Sequence, residues 1–131
     1  MHHSRIIHPR EAPVNTTEIA NELIALCNAG ENMKAIDTLY ASDAASIEPN
    51  EPMKEVHGIE AIKGKSAWWM ENHEVHSRAS RGPWVNGDEF AVEFTYDITF
   101  KPTGKRTMMN EIAMYTVRDG KIAQDKFYYA V

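Results

Sequence analysis

The chain has 131 residues, of which 43% are apolar and 25% are charged, and its formal net charge at pH 7 is −5. This length suits one globular domain that buries roughly two-thirds of its unfolded surface, and the acidic balance argues against nucleic acid or an anionic membrane as a partner. No apolar run approaches the roughly 20 residues of a membrane span, and Cys27, the single cysteine, has no partner for an intrachain disulfide. We therefore expect a cytoplasmic protein that binds neither nucleic acid nor membrane.

The first part of the chain predicts an arm, two helices and a short strand. Residues 1–15 contain three histidines and two prolines without any periodicity, so we interpret them as an arm outside a single domain at residues 16–131. Apolar residues at helical spacing predict one helix over residues 16–29 and a second over residues 33–40. A strand is predicted over residues 44–47, before a loop bounded by prolines.

A third helix is predicted over residues 59–73. Its apolar face places Trp69 and His73 in line with Ile62, whereas Lys65 falls outside that face. We therefore expect the indole and the imidazole, rather than the lysine, to point towards the interior.

The second half of the chain changes to the two-residue period of strands. The clearest segment runs from Phe90 to Phe100, where large apolar residues alternate with small or polar ones. Asn-Gly, Thr-Gly and Asp-Gly pairs mark hairpin turns. These turns divide the region into four consecutive strands, over residues 75–85, 90–100, 106–117 and 122–129. Helices followed by a strand meander are typical of an α+β fold.

A set of short motifs spans almost the whole predicted domain. They are Asn28-Ala29-Gly30-Glu31, Leu39-Tyr40-Ala41-Ser42-Asp43-Ala44, Ile47-Glu48-Pro49, His57-Gly58-Ile59-Glu60-Ala61-Ile62 and Val117-Arg118-Asp119-Gly120-Lys121-Ile122. In this order they resemble the SnoaL-like proteins of the NTF2-like superfamily and, more distantly, the ketosteroid isomerases. The resemblance implies a cone in which three N-terminal helices pack on a strongly curved antiparallel or mixed sheet. It also implies a pocket for a small hydrophobic molecule and a homodimer formed through the outer face of the sheet.

Glu48 is the first candidate for acid–base chemistry. It follows the predicted strand and precedes Pro49, and the resemblance places it where ketosteroid isomerases have their general base. A carboxylate against apolar walls has its charged form disfavoured and becomes a competent proton acceptor. In the same comparison, Leu23 and Ala113 stand where those isomerases have an oxyanion-hole tyrosine and a protonated aspartate. The resemblance therefore implies that the donors for a steroid enolate are missing.

Two further carboxyl groups depend on the register of the last hairpin. A three-residue loop with a glycine bulge at Arg118-Asp119-Gly120 places Glu111 and Asp125 on one face, together with Tyr115, Phe127 and Tyr129. A two-residue type I′ turn would present the opposite face of the preceding strand. The resemblance favours the three-residue loop, which we adopt. Two carboxyl groups in a low dielectric would then share a proton, one as acid and one as base. Ion pairs at the surface are the alternative role for both.

Aromatic side chains supply the candidate ligand-binding residues. These are Trp69, His73, Tyr115, Phe127 and Tyr129. Two histidines three residues apart are too few ligands for a metal, and no phosphate-binding loop or dinucleotide fingerprint is present. We therefore predict neither a metal nor a cofactor.

These residues support four functional hypotheses. The first is a cofactor-independent isomerase, cyclase or dehydratase that uses Glu48, with Asp125 or Glu111, on a small apolar carbonyl compound. The second is a non-catalytic protein that binds a hydrophobic metabolite in the same cavity. The third is an epoxide hydrolase, which resembles this fold and needs two aspartates around an arginine, with Arg78 and Arg81 as candidates. The fourth is an assembly module that uses the outer face of the sheet, which carries Glu93, Thr95, Asp97 and Thr99.

Overall fold

The chain folds into three helices and six strands in a computed structural model that describes residues 15–51 and 53–130. The arm expected at residues 1–15 lies outside these ranges, except for Asn15. The helices are α1 (Thr16–Asn28), α2 (Asn32–Leu39) and α3 (Ile59–Asn72). The strands are β1 (Tyr40–Ile47), β2 (Glu55–His57), β3 (His73–Asn86), β4 (Glu89–Phe100), β5 (Lys105–Arg118) and β6 (Lys121–Tyr128). The predicted α+β class is confirmed. Within the same ranges, no helix has both the length and the apolar character needed to cross a bilayer.

The described strands form a mixed, curved sheet in the order β2-β1-β6-β5-β4-β3. β1 runs parallel to β6, and the other neighbouring pairs are antiparallel. The earliest strand therefore lies beside the last one, next to the meander that the hairpin signals predict. The helices cover the inner face of the sheet, where Phe90, Val92 and Phe94 of β4 share a buried core with Ile19 and Leu23 of α1.

One local and one long-range hydrogen bond fix the beginnings of two helices. The side chain of Asn15 accepts a hydrogen bond of 2.8 Å from the backbone N–H of Glu18, a cap that is worth about 1 kcal/mol to α1. At the start of α3, the N–H of Gly58 donates to the carbonyl oxygen of Ala44 at 2.8 Å. This bond ties α3 to β1 and so places the helix over the inner face.

Three element assignments differ from the sequence prediction. β1 begins at Tyr40, which helical spacing assigns to the second helix, because Tyr40 pairs with Ile122 in the parallel ladder. His73 begins β3 instead of ending α3, since it pairs with Phe100 of β4. β2 has no counterpart in the prediction, because three residues are too few to show a two-residue period.

The turn of the last hairpin is not the predicted one. Asp119 and Gly120 have φ angles of +54° and +75°, and Arg118 pairs with Lys121 on either side of them. This is a two-residue turn with positive φ at both positions, as in type I′. The predicted three-residue loop is therefore wrong.

The face presented by this hairpin is nevertheless the predicted one. The ladder shifts by one residue between Thr116 and Val117, which leaves Ala123 as an extra residue in β6. This bulge moves the rest of β6 by one position, so Tyr115 lies opposite Asp125. A regular ladder beyond the two-residue turn would have turned these side chains to opposite faces.

Two glycines test how backbone conformation contributes to stability. Gly104 lies in the turn between β4 and β5 with φ of +72°, whereas Gly64 lies within α3, and a Cβ at either position would meet nothing within 4 Å. We expect Gly104→Ala to lower the free energy of unfolding by about 1 kcal/mol, because alanine is strained at positive φ. Gly64→Ala should raise it by about 0.5–1 kcal/mol, since alanine has the higher helix propensity. Urea denaturation measures both changes, and effects of the same sign would contradict the assigned conformations.

Candidate active site

A cavity of about 370 Å³ lies between the helices and the inner face of the sheet. All eight residues proposed from the sequence line it: Glu48, Glu111, Asp125, Trp69, His73, Tyr115, Phe127 and Tyr129. Leu23 also lines the wall, and Ala113 is fully buried, so neither position supplies a hydrogen-bond donor. The volume and the largely apolar wall suit a small organic molecule.

Asp125 is the most deeply buried acid of the cavity, with 2% of its surface exposed. Its Oδ1 accepts a hydrogen bond from the hydroxyl of Ser46, and its Oδ2 accepts one from the hydroxyl of Tyr40. Burial raises the pKa of Asp125, while the hydrogen bonds from Ser46 and Tyr40 oppose the rise. Burial, followed by the charge of Asp125, also raises the pKa of Tyr40, so the phenol remains a donor. The two donors hold the carboxyl group in one orientation.

Lys65 of α3 connects Glu48 to the group around Asp125. Its ammonium lies 2.9 Å from Oε2 of Glu48 and 2.5 Å from Oγ of Ser46. The hydroxyl of Tyr129 donates to the other carboxylate oxygen of Glu48 at 2.7 Å. The two carboxylate oxygens of Glu48 therefore each have a donor, one from a cation and one from a hydroxyl group. We call the resulting chain of contacts the hydrogen-bonded network; it consists of Tyr40, Asp125, Ser46, Lys65, Glu48 and Tyr129.

Glu111 differs from the other two acids, because its carboxyl group makes no hydrogen bond or ion pair with any part of residues 15–51 and 53–130. Burial raises the pKa of Glu111 to about 8, and the charges of Glu48 and Asp125 add to the rise, while Lys65 opposes it. At neutral pH the carboxyl group is therefore mostly protonated. Its O–H faces the cavity and is available to a bound molecule.

Aromatic side chains form much of the remaining wall. The rings of Trp69 and His73 stack with 4.3 Å between their centroids, and Nδ1 of His73 lies 2.7 Å from the carbonyl oxygen of Trp69. Tyr115 stacks on Phe90 at 4.7 Å, and burial raises the pKa of its phenol, which stays neutral. The centroid of the Phe127 ring lies 5.2 Å from the ammonium of Lys65, in a cation–π contact. These contacts hold the candidate ligand-binding residues in place.

Three members of the hydrogen-bonded network, Tyr40, Ser46 and Lys65, are not among the sequence candidates. Ser46 lies two residues before Glu48, so the strand period could have placed both side chains on one face. Lys65 lies three residues after the buried Ile62, a spacing that brings both to the inner face of α3. The expectation that Lys65 points away from the interior is wrong. Tyr40 gave no usable signal, because its spacing fits a helix.

The arginine candidates do not form the site of an epoxide hydrolase. Arg78 lines the cavity, but its Nη1 donates to the carbonyl oxygen of Cys27 at 3.0 Å, and no aspartate in the described part of the chain pairs with it. Arg81 pairs with Glu93 at 3.2 Å, and 73% of the Arg81 side chain is exposed. The surface ion pair considered for Asp125 is also wrong, since that carboxyl group is buried. The described residues contain no group of three His, Cys, Asp or Glu side chains placed to hold a metal.

The raised pKa of Glu111 makes the stability of the fold depend on pH. The folded protein keeps this proton up to about pH 8, whereas the reference pKa of an unfolded glutamate is 4.5. The stabilisation that the folded protein gains by keeping the Glu111 proton is fully present below the unfolded pKa. It is lost as the pH rises through the folded pKa. Glu111→Gln keeps the neutral shape and removes the titration. Its stability relative to the wild type should therefore increase across this window, by at most about 1.4 kcal/mol per pH unit.

Urea denaturation at several pH values between about 5 and 8 measures this difference. Glu22→Gln, on the exposed side of α1, reports the effect of removing an acidic side chain at the surface. The free energy of unfolding relative to the wild type should change more with pH in Glu111→Gln than in Glu22→Gln. Equal changes in the two variants would contradict the raised pKa of Glu111.

Comparison with known proteins identifies close and distant relatives. A family model described as a SnoaL-like domain matches residues 14–129. A solved structure from Mesorhizobium loti, provisionally named a SnoaL-like polyketide cyclase, is 47% identical to this chain, with a TM-score of 0.84. That alignment covers 88% of this chain and 99% of the other. No curated protein sequence matches the chain.

Two more distant structures share the fold. A protein from Catenulispora acidiphila with a ketosteroid isomerase-like fold is 24% identical, with a TM-score of 0.71 over 89% of this chain and 88% of that one. A protein from Xanthomonas campestris with a cystatin-like fold is 16% identical, with a TM-score of 0.74 over 89% and 92% of the two chains. The resemblance inferred from the sequence motifs is confirmed. The family model and the Mesorhizobium relative together show that this chain belongs to the SnoaL-like domain family.

Proposed function

We propose that this protein is a cofactor-independent enzyme that transfers protons on a small apolar carbonyl compound, as an isomerase or a cyclase. The proposal rests on the different environments of two carboxyl groups in one cavity. Glu48 is paired with Lys65, whereas Glu111 is held neutral by burial. A base and an acid that face the same apolar cavity are what enolisation requires. The name of the 47% identical Mesorhizobium protein supports a cyclase.

The first step is removal of a proton from the carbon next to the carbonyl group. Glu48 accepts this proton, the C–H electron pair forms the carbon–carbon double bond of the enol, and Glu111 gives its proton to the carbonyl oxygen. Glu48 is then neutral and Glu111 carries the negative charge. Acid–base catalysis of this kind contributes about 10²–10⁴-fold to a rate.

Two second steps are compatible with this enol. In a substrate with a carbon–carbon double bond conjugated to the enol, Glu48 returns the proton to the far carbon of this dienol, and the O–H proton goes back to Glu111, which completes an isomerisation. In a cyclisation, the enol carbon instead attacks a second carbonyl carbon of the same molecule. The new alkoxide takes the proton from Glu48, and the enol O–H returns its proton to Glu111. Either route restores both carboxyl groups to their starting states.

We assign Asp125 a positioning role in this reaction. Its two oxygens accept hydrogen bonds from Ser46 and Tyr40, and Ser46 in turn accepts one from Lys65. The Lys65 ammonium therefore keeps a polar partner when Glu48 becomes neutral. This arrangement limits the cost of moving charge within a low-dielectric cavity.

Glu48→Gln should reduce proton exchange at least about 100-fold, because an amide does not accept the proton. Its melting temperature should stay within a few degrees of the wild type, since Tyr129 can still donate to the amide oxygen. The assay follows deuterium incorporation next to the carbonyl group of cyclic ketones and 1,3-diketones in D₂O by NMR. Differential scanning calorimetry measures the melting temperature.

Glu55→Gln is the matched control, because Glu55 lies in β2 with about half of its side chain exposed, outside the cavity. It should exchange protons at the wild-type rate. Unchanged exchange in Glu48→Gln would eliminate Glu48 as the base. Binding of the same compounds by the wild type without any exchange would favour a non-catalytic binding protein.

We also propose that the protein forms a homodimer through the outer face of its sheet. Met108, Ile112 and Tyr128 are large apolar residues exposed there, and Ile112 pairs directly with Tyr128 across β5 and β6. Nearby on the same face, Glu93 and Asp97 form ion pairs with arginines. An exposed apolar patch with a charged rim is typical of a protein interface.

Ile112→Lys should convert the dimer to a monomer, because it places a charge at the centre of this patch. Light scattering coupled to size-exclusion chromatography gives the mass. Glu22→Lys adds a lysine on the helical side of the molecule and should leave the mass unchanged. A monomeric wild type would contradict the proposal.

A further inference from the structure

Arg78 is a cavity residue that the proposed reaction does not use. It lies in β3, opposite Tyr96 of β4, and both side chains line the cavity. Its Nη1 donates to the carbonyl oxygen of Cys27 at 3.0 Å, which fixes one side of the guanidinium. Among the described residues, this is the one hydrogen bond that the Arg78 side chain makes.

The charge of Arg78 lacks a carboxylate partner in the described part of the chain. The other arginines there each have one: Arg81 pairs with Glu93, Arg106 with Asp97 and Arg118 with Asp43. The guanidinium carries five N–H donors and does not lose its charge in proteins. A part-buried charge without a partner is costly, and an anion within the cavity would offset that cost.

Tyr96 adds a second donor beside Arg78. Its hydroxyl has no hydrogen-bond acceptor within residues 15–51 and 53–130. Burial, followed by the charge of Glu111, raises the pKa of Tyr96, so the phenol keeps its proton. The cavity wall thus carries a guanidinium and a hydroxyl from directly paired positions of β3 and β4, and neither has a carboxylate partner among the described residues.

Lys65, the other cation that lines the cavity, already has polar partners. Lys65 is bound by Glu48 and Ser46, and it is the cation that lowers the pKa of Glu111. An anionic group on a ligand would therefore find its available positive charge at Arg78. The planar guanidinium matches the two oxygens of a carboxylate in a bidentate contact.

We propose that Arg78 and Tyr96 form a subsite for the carboxylate of an apolar ligand. The ligand is then an apolar carboxylic acid, and its hydrocarbon part lies against the aromatic wall. This inference deepens the proposed function, and it rests on that function for the reaction carried out in the cavity. A substrate that has both a reacting carbonyl group and an anchoring carboxylate is a keto acid.

The test compares two ligands of the same shape, of which one is charged and the other is neutral. 2-Naphthoate carries the carboxylate, and 2-naphthamide has the same shape without the charge. Calorimetric titration near pH 7 measures both dissociation constants. We expect the wild type to bind the carboxylate at least about tenfold more tightly, since hydrogen bonds to charged groups are the stronger ones.

Three variants test whether Arg78 and Tyr96 cause the preference for the carboxylate. Arg78→Met should bind both compounds about equally, and Tyr96→Phe should show a smaller preference than the wild type. Arg81→Met is the matched control, because Arg81 lies three residues further along β3 with an exposed side chain, and it should keep the full preference. Far-UV circular dichroism checks that each variant is folded.

The result that overturns the subsite is equal binding of the two compounds by the wild type, a measurement that needs no variant. A preference that persists in folded Arg78→Met also overturns it. Glu48→Gln separates this inference from the proposed function. It should lose proton exchange yet prefer 2-naphthoate, so a failure of the reaction leaves the binding test valid.

Discussion

The burial of the Asp125 carboxyl group is the constraint on which the arrangement of the cavity depends. A carboxyl group removed from water needs hydrogen-bond donors, and β1 provides both of them through Ser46 and Tyr40. The parallel pairing of β1 with β6 sets Ser46 opposite Asp125, although the two are 79 positions apart in the chain. α3 then brings Lys65 to the same place. The first and last strands therefore form the polar end of the cavity together.

The distribution of charge in the cavity suits an apolar ligand better than the number of acids suggests. Glu48 and Lys65 offset each other, and Glu111 gains a proton because burial penalises its charge. The wall between these groups is aromatic, and the Trp69 and His73 rings stabilise one another by stacking. Charged and polar side chains are thus confined to specific positions, while most of the wall can accept hydrocarbon.

The sequence predicted those features of the fold that depend on local patterns. The helical spacing of α1 and the alternation in β4 each indicate their structure within a few residues. The resemblance to SnoaL-like proteins added the cavity and its acids, which periodicity alone does not reveal. The hydrogen-bonded network could not be predicted from the sequence, because it depends on the rotation of α3 that turns Lys65 inward. It also requires the pairing of β1 with β6, and the helical spacing around Tyr40 concealed the start of β1.

The Ala123 bulge has a consequence for how this family can vary in sequence. The number of residues between Tyr115 and Asp125 decides which side chains of β6 face the cavity. An odd number and an even number give opposite faces, whether the extra residue lies in the turn or in the strand. A homologue can therefore lose the bulge if its turn grows by one residue, and the chemistry of its interior is preserved. A single insertion without such compensation would turn every side chain of β6 beyond it to the opposite face of the sheet. Natural length changes at this end of the molecule should accordingly occur in compensating pairs.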